Sequence, residues 1–319
     1  MTPLSIGTNG EEQMKQQSTL RWLILVIAIL AAFAAGTGLF STDGEGTFEF
    51  ATLRGDTVQI YGRGLYRYDT SLIAVGYRVS DAFTLIVGIP LLLISFWLYQ
   101  RGSMRGRILL TGTLLFFLYN FGSLGIGSAY NNLFLVYVLL TMLTFLGGSG
   151  LLLSFDLQTF PTFFSERVPR RGISLFLIIS GTALFCIWLF LSILPALLSG
   201  GVPPEVESYT TIVTFVLDMA IIAPVLVSAG VLLRRAEALG YLMASVLLIF
   251  IDALGLSLLV MGIAQQLAGL MNIGQFIGFV VSFAILTLFS LRFTVALLRN
   301  IADTPRLQGQ TFLLHGKEA

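Results

Sequence analysis

Charge is scarce in this chain of 319 residues: Asp, Glu, Lys and Arg together make up 11% of it. A soluble domain carries about 25%. Lysine occurs twice, as Lys15 and Lys317, both outside the apolar runs, which excludes a Schiff base on a membrane lysine. The one histidine, His315, lies in the polar C-terminal tail, so a Ser-His-Asp triad, an HExxH zinc site and bis-histidine haem ligation are excluded. The one cysteine, Cys186, allows neither an intramolecular disulfide nor a CxxC motif. No GxxxxGK[ST] loop is present to cradle ATP. The sequence therefore predicts no metal, no cofactor and no nucleic-acid partner, and it assigns no catalytic residue.

What is abundant is apolar surface. Hydrophobic residues make up 56% of the chain, and mean hydropathy is +0.89. This excludes a soluble globular enzyme and a disordered chain, and it makes the lipid bilayer the main solvent. Eight runs are long enough to cross it: 22–40, 82–99, 108–126, 133–153, 173–198, 210–233, 239–263 and 274–298. Backbone groups cannot stay bare in hydrocarbon, so each run must be a helix. The expected fold is an all-α integral membrane bundle of about eight helices. Tails 1–20 and 301–319 flank a transmembrane domain over 21–300.

Eight spans put both termini on one side, and the basic residues select it. With the N-terminus in the cytoplasm, Arg54, Arg63, Arg67 and Arg78 lie outside, and the other fourteen of the 18 Lys and Arg lie inside. The expected location is a plasma membrane with both termini cytoplasmic. Arg21 and the Ala32–Ala35 segment faintly resemble a cleavable signal, but a polar segment precedes them, and an uncleaved anchor is expected.

The segment 41–80 is the one long extramembrane stretch. Thr47–Leu53 and Thr57–Tyr61 are β-rich, with Arg54-Gly55-Asp56 between them as a turn, and predict a small extracytoplasmic hairpin. It reads either as a packed lid or as a ligand-recognising cap. Tyr61–Asp69 (YGRGLYRYD), Gly88-Ile89-Pro90-Leu91-Leu92-Leu93 and Arg101-Gly102-Ser103 follow. With Leu217-Asp218, Ala223-Pro224, Arg234-Arg235 and Gly240-Tyr241-Leu242, they make the chain resemble a group of uncharacterised bacterial multi-pass membrane proteins. That resemblance implies location and fold, and no activity.

Two acids fall inside apolar runs, Asp218 and Asp252. An Asp at helix centre costs about 2.5–3.5 kcal/mol on insertion scales, so each needs a partner, a cavity or a proton. Polar residues recur at helical spacing around them: Thr211, Thr214 and Asp218; Ser245, Asp252, Gly255 and Gln266; Thr113, Asn120, Ser123 and Gly127; Gln275, Gly278 and Ser282. Tyr130, Asn131, Asn132, Gln265 and Asn272 mark helix ends on the outer side. If the stripes turn inward together, they line an outward-facing vestibule floored by both acids. The candidate pathway residues are Asp218, Asp252, Asn120, Thr214, Asn131, Gln266, Asn272 and Gln275. The competing reading makes the stripes interhelical glue. Gly274 and Gly278 form a GxxxG, expected as a close-packing site.

Spans two to four and six to eight share an order of landmarks, Asp81, Pro90, Arg101 and Asn131 against Asp218, Pro224, Arg234 and Asn272, as a parallel duplication would. Pro90 and Pro224 should kink their helices. Three functions stay open. A small-molecule or ion permease uses the buried acids. An envelope sensory, binding or assembly component works with a membrane partner protein. A lipid-directed enzyme would need the two carboxyls to share a proton.

Overall fold

The computed structural model describes residues 8–304; His315, Lys317 and the rest of the expected 301–319 tail beyond Thr304 lie outside the described residues. Among the described residues, eight helices are long and apolar enough to cross a membrane. They are α1 (Thr8–Phe40), α2 (Ser71–Gln100), α3 (Met104–Gly127), α4 (Phe134–Leu153), α5 (Arg170–Ser199), α6 (Val213–Arg234), α7 (Ala238–Leu267) and α8 (Ile273–Arg299). The chain is an all-α polytopic membrane protein, and the one sheet among the described residues is a two-stranded antiparallel hairpin.

That hairpin pairs β1 (Phe48–Ala51) with β2 (Thr57–Ile60), Phe48 opposite Ile60 and Ala51 opposite Thr57. The Arg54-Gly55-Asp56 turn is closed by Thr52 N–H donating to Asp56 O at 2.8 Å. After the hairpin the chain doubles back through Gly62, at φ +70°, where a Cβ would strike the Gly46 carbonyl. Only glycine fits there.

Helix α2 begins at Ser71, so the expected loop over 41–80 is shorter by ten residues. The extra turns carry Tyr77, Arg78 and Asp81, and Asp81 is buried. They read as loop in the sequence because their polar groups are satisfied by partners far along the chain. Arg78 donates to Leu39 O at 2.9 Å and to the Tyr61 hydroxyl.

Three helices are interrupted by a π-helical turn, and each turn ends just before a proline. The turns are Thr84–Gly88 before Pro90, Trp188–Ile193 before Pro195, and Leu217–Ile222 before Pro224. Proline has no N–H and its ring crowds the carbonyl four residues back. A wider turn accommodates it, and such turns often mark functional sites. The expected kinks at Pro90 and Pro224 therefore take this form.

The helices pack as two rings joined through the middle. In the first, α1 touches α2, α2 touches α3, α3 touches α4, and α4 returns to α1. In the second, α5, α6, α7 and α8 pair in the same cyclic order. The rings meet where α7 packs on α2 and α3, and where α6 reaches α3. A parallel duplication would produce this pattern. Helices α3 and α7 are the most enclosed, and Phe116, Phe117, Phe121 and Phe250 fill the space between elements. Helix α8 is the most peripheral.

Candidate functional site

The buried polar side chains of the first ring and its junction with the second form a connected core of carboxylates and phenols. One member is Asp218, on the π turn of α6. Tyr119 of α3 donates its hydroxyl to Asp218 Oδ1 at 2.8 Å, and Trp188 of α5 donates its indole N–H to Oδ2 at 2.9 Å. Both oxygens are thus held by neutral donors. Trp188 itself belongs to the π turn of α5 and stacks edge-on against Phe215 at 5.0 Å. The π turn of α2 contributes Thr84, whose hydroxyl accepts from Asn120 Nδ2 at 3.3 Å, while Ser80 donates to Asn120 Oδ1 at 2.5 Å. All three wide turns therefore carry polar groups of this core.

Toward the hairpin end, Tyr119 lies within electrostatic reach of Tyr77, and Tyr77 of Asp69 and Tyr137. Tyr66 stacks at 5.4 Å on Tyr77 and donates to Asp81 Oδ2 at 2.8 Å. Gly38 of α1 lets the Asp81 carboxyl approach that helix, since a Cβ there would collide with Oδ2. Burial, then the neighbouring Asp81, push the Tyr66 hydroxyl well above its ordinary pKa.

Above this layer sits Asp69, fully buried although it lies outside the spans. Its Oδ1 accepts from the Tyr209 hydroxyl at 2.7 Å and from Ala129 N–H at 2.7 Å, while Oδ2 has no partner among the described residues. Burial raises its pKa to about 6, against the two hydrogen bonds, which lower it. Glu207 accepts from the Thr70 hydroxyl, and Arg54 donates to Tyr209 O. Burial raises the Glu207 pKa as well. These bonds clamp the hairpin segment and the 200–212 segment over the core.

The residues singled out in the sequence fall into three groups. Asn120 and Asp218 are buried in the core; Thr214, one turn before Asp218, is half-buried. Asn131, Asn272 and Gln275 hold local backbone. Asn131 Oδ1 accepts from Leu133 N–H at 3.0 Å, and Asn272 with Gln275 forms a reciprocal cap at the start of α8. Gln266 is half-buried, with Oε1 unpartnered among the described residues. Asp252 belongs elsewhere, on the face of α7 against α8, where the hydroxyls of Ser290 and Thr294 lie beside its carboxyl. No hydrogen bond joins it to Asp218 among the described residues, so the proton-sharing pair required for aspartyl chemistry is not formed.

The inward stripe expected at Gln275, Gly278 and Ser282 is corrected: all three are exposed, and α8 packs through Thr287, Ser290, Thr294 and Leu297. The Asn272 cap already satisfies the first turn, so nothing draws that face inward. A Cβ at Gly278 would meet no atom of the described residues, so the GxxxG does not serve packing among them.

Sequence reasoning missed Tyr119, Tyr137 and Trp188, because an aromatic ring in an apolar run reads as core, and Tyr77, because it lies in the segment read as loop. A usable signal was the spacing of Pro90, Pro195 and Pro224 behind Thr84, Trp188 and Asp218. Two clefts, of 510 and 430 Å³, lie at the end opposite the hairpin, the first beside Arg101 and Arg105, the second beside Glu166 and Arg170. No protein-family model, curated protein or solved structure matches this chain.

Proposed function

We infer that this polytopic protein is a small-molecule or ion permease of a bacterial plasma membrane, in which Asp218 moves the coupling proton. The observation that carries this reading is the setting of Asp218: a carboxyl on a proline-linked π turn, gripped by Tyr119 and by Trp188 of a second such turn. Interrupted helices with polar groups at membrane depth are how carriers expose and close a central site. A change at either wide turn would break one of the two bonds and free an oxygen for proton exchange. The phenols Tyr119, Tyr77 and Tyr66 supply hydroxyls between Asp218 and the hairpin end. In this reading the hairpin end is closed, with Asp69, Tyr209 and Glu207 as the latch. The arginines at the other end favour a cytoplasmic placement for it.

The test uses proteoliposomes loaded with a pH-reporting dye and challenged with amino acids, sugars, nucleosides and inorganic ions in turn. A solute that acidifies the lumen in wild type, with the signal lost in Asp218→Asn, supports the reading. Absence of solute-dependent proton movement across the whole panel defeats it.

One observation favours a second reading, an envelope binding or assembly component. Phe48, Phe50 and Leu53 of the hairpin are exposed outside the spans. Such a protein needs a membrane partner, and copurification in mild detergent that depends on these three side chains would distinguish it.

A further inference from the structure

The interface between α7 and α8 holds a second polar site that the permease reading does not use. Asp252 lies near the middle of α7, is 8% exposed, and belongs to no ion pair among the described residues. Its Oδ1 accepts no hydrogen bond among the described residues. One turn along α7, Gly255 leaves room for Thr287 of α8, whose hydroxyl occupies the space a Cβ would take. Ser290 and Thr294 of α8 lie beside the carboxyl, and Ser290 donates to the Leu248 carbonyl at 3.3 Å. Thr287 and Thr294 are 2% and 7% exposed, and both hydroxyls are unpartnered among the described residues. Threonine hydroxyls in helices ordinarily return to a carbonyl one turn back, as Thr111, Thr113, Thr141 and Thr144 do here. Those of Thr287 and Thr294 do not.

A buried carboxylate with the hydroxyls of Ser290 and Thr294 beside it, and that of Thr287 one turn along the same interface, suits a hard cation. The charge selects its valence. A single carboxylate neutralises a single positive charge, whereas calcium and magnesium sites gather several carboxylates or substrate phosphates. The one basic residue of this stretch of α8, Arg292, is exposed and makes no bond to Asp252. We propose that Asp252, Thr287, Ser290 and Thr294 form a binding site for a monovalent cation of the sodium type, which clamps α8 to α7. The cation supplies the charge that hydrocarbon surroundings deny the carboxylate and explains why the most peripheral helix turns its hydroxyl face inward.

The experiment is thermal unfolding of the purified full-length protein in detergent, in sodium, lithium, potassium and choline chloride at equal ionic strength. Radioactive sodium binding is measured in parallel. The expected result is a Tm that rises and saturates with sodium, with about one ion bound per chain. Asp252→Asn should abolish both. Thr287→Val with Thr294→Val, which keeps side-chain volume, should weaken apparent affinity by roughly tenfold to a hundredfold, as loss of two neutral ligands implies. It also carries the test if Asp252→Asn does not fold. Equal Tm in all four salts overturns the proposal. So does a sodium shift that survives in the variants, or a Tm that follows pH but not sodium, which would make the occupant a proton. No solute or gradient is involved, so failure here is distinct from failure of the permease reading.

Discussion

The hydroxyl of Tyr209 donates to Asp69 Oδ1 at 2.7 Å, joining two extramembrane segments 140 residues apart in sequence. Its neighbours are a backbone N–H and phenols, with no cation hydrogen-bonded to the carboxyl among the described residues. The pair is a latch whose strength depends on protonation.

The sign follows from burial. The folded pKa of Asp69 is raised from 3.8 to about 6, so the folded state binds its proton more tightly than the unfolded state. The stabilisation is full below about pH 4 and is lost as pH rises through 6. Glu207 shifts in the same direction. Tm in detergent should therefore fall from pH 4 to pH 6.5 and then level, over roughly 3 kcal/mol at most. Asp69→Asn keeps the acceptor for Tyr209 and Ala129, so it should flatten the profile and raise Tm at pH 7. A profile with unchanged slope in that variant would count against the latch.

Tyr119→Phe leaves Asp218 Oδ1 without its donor, and Trp188→Phe does the same for Oδ2. Each should lower unfolding stability by about 1–3 kcal/mol. Because the two share one carboxylate, their effects should not add, and a double-mutant cycle measures the coupling. Additivity within experimental error would mean that the carboxyl is not jointly held.

Trp188 offers a direct optical reading. With Trp22 and Trp97 replaced by Phe, the emission of Trp188 alone reports the indole N–H bond. Asp218→Asn and Pro224→Ala should both shift it, the second because a restored N–H lets the π turn at Leu217–Ile222 relax toward a regular helix. An unshifted spectrum in Pro224→Ala would separate the proline from the wide turn.

The glycines give a contrast within one experiment. Gly38→Ala drives a methyl into Asp81 Oδ2 and toward the Tyr66 hydroxyl, and overpacking of this kind costs about 1–3 kcal/mol. Gly278→Ala meets nothing and should change stability by no more than about 0.5 kcal/mol. Thermal unfolding of the two variants checks both. Equal destabilisation would show that Gly278 faces a contact outside the chain.

Hydropathy alone carried the existence of eight spans, because apolar runs of some 20 residues have one way to satisfy their backbone in lipid, and β-rich runs on either side of a Gly-Asp turn carried the hairpin. Asp218 was legible for the same reason, as an expensive charge in hydrocarbon. Helical spacing, by contrast, mistook the face of α8. Gln275, Gly278 and Ser282 form as regular a stripe as Thr287, Ser290 and Thr294, and periodicity carries no sign for inward. What decided it was the partner: Asp252 sits opposite the second stripe and not the first. The same limit separates Asp218 from Asp252, which look equivalent as isolated acids in apolar runs. Their difference is made by Tyr119 and Trp188 on one side and by a row of hydroxyls on the other, contacts between residues 30 to 99 positions apart for the first and across two helices for the second. Burial and solvation energies are local and can be read along a chain, whereas the pairing of polar groups depends on which helix faces come together, and only the packed bundle settles that.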